Sequence, residues 1–171
     1  YRLTMSTTAP SPPVLRPEDA DFIRSGVSVC AASRDVRHVP SLARGLGCAV
    51  CDGGRTLRLL LVKSQSEALL RDLEKSGQIA VVFTRPSTHR SLQIKGSDAR
   101  VEVAKPDDEQ LAQTSFDAFA DDLLTIGFSR AFTGLYYQHE QSDLVAVTFT
   151  PDDVFLQTPG PNAGARLEPL P

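Results

Sequence analysis

At 171 residues the chain is long enough for one domain with a real core. Its 18 Lys and Arg against 21 Asp and Glu leave a net charge of −3, which argues against nucleic acid or an anionic membrane as the main partner. No apolar run approaches the roughly 20 residues that a membrane helix needs, and residues 1–21 carry Pro, Ser and Thr instead of the apolar stretch of a secretory signal. Three cysteines are too few for a disulfide framework, so a reducing cytoplasm is the expected setting.

Residues 1–16 read as a flexible arm, with Met5 a candidate natural start, and residues 17–171 as a single domain. Pro17 suits a first helical turn, and Glu18, Asp19 and Asp21 suit a helix N-terminus, so a short helix is expected up to Ser25, stopping at Gly26. In residues 27–33, Val27, Val29 and Ala31 alternate with Ser28, Cys30 and Ala32 as in a strand. Residues 34–45 read as a polar loop. Residues 46–52 and 56–62 form a hairpin across the Asp52-Gly53-Gly54 turn. Cys48 and Cys51 stand three apart on the first of these strands and face opposite sides, as small strand residues do; redox or metal use is the alternative.

The second hairpin strand ends at Lys63, and a helical pattern with Leu69, Leu70 and Leu73 begins at once. Ser64 and Glu67 have capping-box spacing, making Ser64 the expected N-cap and Gly77 the C-cap. Free N–H groups and the positive helix end make the joint at Lys63, Ser64 and Ser66 either a phosphate seat or an ordinary capped helix. Residues 78–84 read as a strand buried on both faces, and residues 85–90 as a loop. Residues 91–104 read as one long strand, with a change of face near residues 96–98 that implies a bulge. Pro106 opens a helical region carrying Leu111, Phe116, Phe119, Leu123 and Ile126, and Gly127 closes it. Residues 128–142 show little pattern, residues 143–150 read as a strand, and the Pro- and Gly-rich tail has no periodicity. Six strands joined mostly through hairpins favour a mainly β (α+β) fold: a small antiparallel barrel with helices outside.

His38, His89 and His139 are scattered, none at metal-ligand spacing with another. The cluster from Tyr136 to Glu140 reads as a surface turn with one tyrosine inward, or as a lid. No G-x-S-x-G, H-E-x-x-H or P-loop pattern supports a hydrolase, zincin or nucleoside-triphosphatase reading.

The segments VSVCAASRDVRHVPSLARGLGCAVCDGG, LRLLLVKSQSEALLRDLEKSGQIAVVFTRPSTHRSLQIKG and FLQTPGPNAG, in this order, resemble the pyridoxamine 5'-phosphate oxidase-like family of FMN-binding split β-barrels. The resemblance covers residues 18–167 and implies a six-stranded antiparallel split β-barrel that works as a homodimer. It implies flavin mononucleotide in the groove between subunits, with heme or a deazaflavin as the family's other cofactors. Ser64 matches the family's phosphate-binding serine; the lysine two residues later is Ser66 here, with Lys63 adjacent. Gln93 matches the glutamine of an arginine-glutamine pair, whose arginine position is Leu92, with Arg90 nearby. Arg58 is the candidate for an arginine that the family places near the flavin ring. The implied function is an FMN-dependent oxidoreductase of unidentified substrate. The alternatives are a non-catalytic heme- or flavin-binding protein and a cofactor-free dimer that keeps the fold.

Overall fold

The computed structural model describes residues 15–168. The expected arm and Met5 lie outside them, except that Leu15 is buried in the core and Arg16 forks onto Asp19 at 2.7 and 3.0 Å. Helix α1 (Pro17–Ile23) is followed by strands β1 (Ser28–Arg34), β2 (Pro40–Cys51) and β3 (Thr56–Val62). Helix α2 (Glu67–Ser76), strands β4 (Ile79–Thr84), β5 (Ser91–Gly96) and β6 (Arg100–Val103), and helices α3 (Pro106–Leu124) and α4 (Arg130–Gly134) come next. Strands β7 (Leu144–Phe149), β8 (Asp153–Leu156) and β9 (Arg166–Leu167) end the described chain. No helix among the described residues is long and apolar enough to cross a membrane.

All nine strands form one sheet in the order β6-β7-β3-β2-β1-β4-β5-β8-β9, and every pairing is antiparallel. The sheet curls without closing, which is the split-barrel arrangement. The three strands beyond the expected six have local causes. The expected long strand at 91–104 is two strands far apart in the order, β6 at one end and β5 third from the other, and the chain between them crosses the split. The change of face there is this corner rather than a bulge within one strand. Its partner ribbon turns at the same place, from β7 to β8. Asp98 takes the Thr150 N–H and hydroxyl (both 2.7 Å), and the Asp152 N–H donates to the Lys95 carbonyl (2.8 Å). The third addition, β9, pairs Leu167 with Val154 and Arg166 with Phe155.

A bulge does occur, but in β2, where the register shifts between Gly45 and Gly47. Ala43 and Cys48 both join the barrel interior, although their parities differ. Leu46, at the shift, points to the outer face and packs with Leu60, Val62, Ala112, Phe119 and Tyr137 beneath α3. The interior is filled by Val29, Ala31, Leu57, Leu59, Leu61, Val81, Phe83, Leu92 and Ile94, each buried side chain contributing about 1.5–3 kcal/mol for the larger residues. The same pattern shows that β4 is buried on one face only: Ile79, Val81 and Phe83 are buried, while Ala80, Val82 and Thr84 are half-exposed. Strand β2 also starts six residues earlier than expected, at Pro40, so most of the expected 34–45 loop is strand.

Gly96 stands at the corner because nothing larger fits. A β-carbon there would lie 2.5 Å from the Phe149 ring and 2.8 Å from the Thr150 carbonyl oxygen. Gly96→Ala is expected to lower stability by about 1–3 kcal/mol through overpacking. Urea unfolding measures it, and an unchanged midpoint would show that the corner yields freely.

Candidate functional site

At the joint after β3, residues Lys63–Gln65 form a 3-10 turn, and Ser66 is the N-cap of α2. The turn displaces the helix start, so Ser64 does not cap it and the expected capping box does not form. The Ser64 N–H instead donates to Asp143 Oδ1 at 3.0 Å, and its hydroxyl donates to Oδ2 at 2.5 Å. Ser66 is 2 % exposed, and its hydroxyl has no partner among the described residues. The joint is therefore an anion seat whose anion is the chain's own Asp143. The Ser64 hydrogen bonds, with Lys63 and His139 nearby, hold the Asp143 carboxyl below its ordinary range.

Asp143 arrives on the segment after α3. Tyr137 is its inward tyrosine, with ring centroids 5.2 Å from Phe116 and 5.7 Å from Phe119. Burial pushes its hydroxyl up to about 12. His139 faces the Tyr137 carbonyl at 2.9 Å and Glu109 at 3.2 Å. Tyr136 points the other way, with the Arg44 guanidinium 5.2 Å from its ring centroid. Arg44 lines a cavity of about 280 Å³ with Phe119, Leu123, Phe128, Phe132 and Tyr136. On β2, Arg44 precedes Gly45, which pairs with Leu61 next to the joint.

Arg44 also begins a transverse row on the outer sheet face. It pairs with Cys30, Cys30 with Val82, Val82 with Gln93, and Gln93 with Phe155. No helix among the described residues covers this row, and Arg44 and Cys30 are exposed. Gln93 accepts a 3.4 Å bond from Gln157. Strands β2, β1 and β4 separate it from β3, about 19 Å at the usual 4.8 Å strand spacing. The other two candidates lie elsewhere. Arg90 sits 4.3 Å above the Phe22 ring and 3.8 Å from Asp19. Arg58 is buried under α3, where it donates to Asp108 at 2.9 and 2.6 Å, to Glu102 at 2.6 Å and to the Val103 carbonyl at 3.3 Å.

The structure thus brings Lys63, Ser64 and Ser66 together and leaves Gln93, Arg58 and Arg90 apart. For a phosphorylated flavin, Arg44 and Lys63 fit: neither has a carboxylate within ion-pair distance among the described residues, and an aromatic cavity lies beside Arg44. Ser64, Ser66 and Arg58 have no free, accessible donors to give. Arg44 is the residue that the sequence reading misses. Starting β2 at Pro40 would expose its signal: Leu42 and Arg44 alternate outward against Ala43 and Gly45. Cys48 is buried in the core, where desolvation raises its thiol, and Cys51 is half-buried at the hairpin end. Both cysteines are free. No metal-holding cluster of His, Cys, Asp or Glu occurs among the described residues, and His89 is exposed on the β4–β5 turn.

No protein-family model matches the chain, and no curated protein matches it in sequence. Solved structures do match its shape. A Clostridium acetobutylicum protein related to general stress protein 26, of the pyridoxinephosphate oxidase family, superposes with a TM-score of 0.53 at 14 % identity, covering 88 % of this chain and 92 % of that one. A Lactobacillus delbrueckii protein named as a candidate pyridoxamine 5'-phosphate oxidase gives 0.51 at 16 % identity, covering 82 % and 93 %. An F420 reductase gives 0.50 at 14 % identity, covering 78 % and 93 %. The chain has the split-barrel fold of these proteins.

Two outcomes test the site's internal contacts. Arg58→Ala is expected to cost about 3–5 kcal/mol, because it leaves the buried Asp108 carboxylate without its guanidinium counter-charge. Arg58 holds Asp108 below its ordinary range, and the Thr148 hydroxyl followed by Arg58 does the same for Glu102. Lowered folded values give stability that is complete above the ordinary carboxylate values and lost as pH falls through the folded ones. The gap between wild type and Arg58→Ala in urea should therefore shrink below about pH 4. A gap constant with pH would contradict the assignment. Separately, Asp143→Ala should speed amide exchange at Ser64 without unfolding the sheet; unchanged exchange would show that Asp143 does not hold the joint.

Proposed function

We propose that the chain is a flavin-binding protein of the oxidoreductase kind, acting as a homodimer with FMN as its cofactor. The observation that supports this reading is the uncovered outer row of Arg44, Cys30, Val82, Gln93 and Phe155, beside an aromatic cavity, on a fold shared with a pyridoxinephosphate oxidase-family protein. A second copy laid on this face covers its half-exposed apolar side chains. It also offers a route for Gln93 of one subunit to approach the joint of the other, which the sheet keeps apart within one chain.

In this reading Arg44 orients the planar ring and stabilises negative charge on it. Lys63 supplies the cation for the phosphate. Val82 and the aromatic side chains exclude water from the ring face. When bound, the flavin supplies the electron or hydride transfer itself; the protein supplies position and electrostatics. No side chain here is assigned as a proton donor or acceptor. A deazaflavin in place of FMN has the support of the F420 reductase's shape alone.

One contact favours a second reading, a cofactor-free dimer that keeps the fold: Asp143 already occupies both Ser64 donors. A visible spectrum after FMN addition and desalting separates the two. Retained flavin bands, weakened about tenfold in affinity by Arg44→Ala and again by Lys63→Ala, are the expected result. Colourless protein after desalting would leave the second reading. A monomeric mass at micromolar concentration would remove the dimer.

A further inference from the structure

At the other end of the uncovered face, beyond the Arg44–Phe155 row, a groove of about 380 Å³ opens between the ends of β1 and β5. Its floor includes Ala32 and Ala80, and its rim carries Arg34, His38 and Lys95. The sheet register assembles it: Ala32 pairs with Ala80, Ala80 with Lys95, and Arg34 with Pro40. Arg34 lies two residues along β1 from Ala32, so the two share a face and Arg34 stands over the same floor.

His38 is brought to the rim by a locked turn. Asp35 Oδ1 takes the N–H groups of Arg37 (2.8 Å) and Val39 (2.9 Å), and the His38 N–H donates to the Asp35 carbonyl (3.0 Å). These bonds hold His38 at φ +65°, a conformation few side-chain-bearing residues adopt. Its imidazole carries at least one N–H donor in either ionisation state.

The groove's charge runs against that of the chain. The chain is net −3, yet no carboxylate among the described residues lines the groove. The acids around it are engaged: Asp35 with its own turn, Asp98 with Thr150 (2.7 Å), Asp152 with the Ser97 hydroxyl (2.6 Å), and Asp153, the cross-strand neighbour of Lys95, with Arg166 (2.5 Å). Among the described residues, Arg34 and Lys95 have no carboxylate within 4.0 Å. The Lys95 ammonium lies 4.8 Å from the Phe155 ring centroid. Three donors over an apolar floor, confined to one cavity instead of spread as a stripe, suit a small ligand better than a polyanion.

We propose that this groove is a second binding site, for a small organic anion with a flat apolar body and a phosphate or carboxylate group. The body lies on Ala32 and Ala80, and the anionic group meets Arg34, His38 and Lys95. The site shares no residue with the flavin reading and does not depend on it.

Phenyl phosphate, inorganic phosphate and phenol serve as probes in calorimetric titrations of the full chain. Saturable binding of phenyl phosphate, one per chain and tighter than either of the others, is expected. Arg34→Ala and Lys95→Ala should each weaken it about tenfold, and Lys95→Glu should abolish it. Both positions are exposed, so thermal unfolding should stay unchanged. Arg44→Ala should leave phenyl phosphate affinity as it is. The proposal falls if no saturable binding occurs or if inorganic phosphate binds as tightly. It also falls if binding survives Lys95→Glu or follows Arg44 instead of Lys95. Loss of FMN binding with phenyl phosphate retained would overturn the flavin reading and leave this groove standing.

Discussion

The corner at residues 96–99, faced by residues 149–152, is the constraint from which the architecture follows. Two antiparallel ribbons must bend there together, one passing from β5 to β6 and the other from β7 to β8. Gly96 lets the Phe149 ring and the Thr150 carbonyl approach its backbone. Asp98 and Lys95 then tie the facing ribbon through its backbone N–H groups. Without this bend β5 and β6 would be one straight strand, and the apolar faces of β3 and β5 would have no common interior to share.

A second, smaller adjustment decides which residues serve the interior and which serve the helix outside. The shift at Leu46 lets β2 send Ala43 and Cys48 inward while Leu46 turns out beneath α3. On the neighbouring strand, Arg58 faces the same outer layer and ties three parts of it: β6 through Glu102, the start of α3 through Asp108, and β7 through the Thr148–Glu102 bond. This arginine holds the outer helix to the sheet. Of the cations left free for a ligand, Arg34, Arg44 and Lys95 lie exposed on strands of the sheet, and Lys63 stands in the turn before α2.

Much of this was legible in the sequence. Strict alternation marked β1, turn chemistry marked the β2–β3 hairpin, and Pro106 and Gly127 bracketed α3, because these signals depend on neighbours a few residues away. The long reading of residues 91–104 failed because a corner and a bulge both reverse side-chain parity; only the tertiary partner distinguishes them. The Ser64 capping box failed for a related reason. The 3-10 turn and the reach of Asp143, 79 residues away, redirect a serine whose local spacing is right. Arg58 carried the right charge on the right strand, but its face is fixed by α3, which the strand itself does not reveal. Arg44 was lost to a misplaced strand start, and with it the part of the site that the uncovered face offers.

A barrel that stays open keeps two margins that are unpaired among the described residues, and here both are blunt. One is β6, four residues long and carrying Arg100 and Glu102; the other is β9, with two residues. Strands this short, and both carrying charge, offer little template for a foreign strand to extend the ladder, which guards against aggregation margin to margin. The broad surface left for meeting another molecule is the flat of the sheet itself. Side-chain packing, not backbone hydrogen bonding, would then set what can attach there.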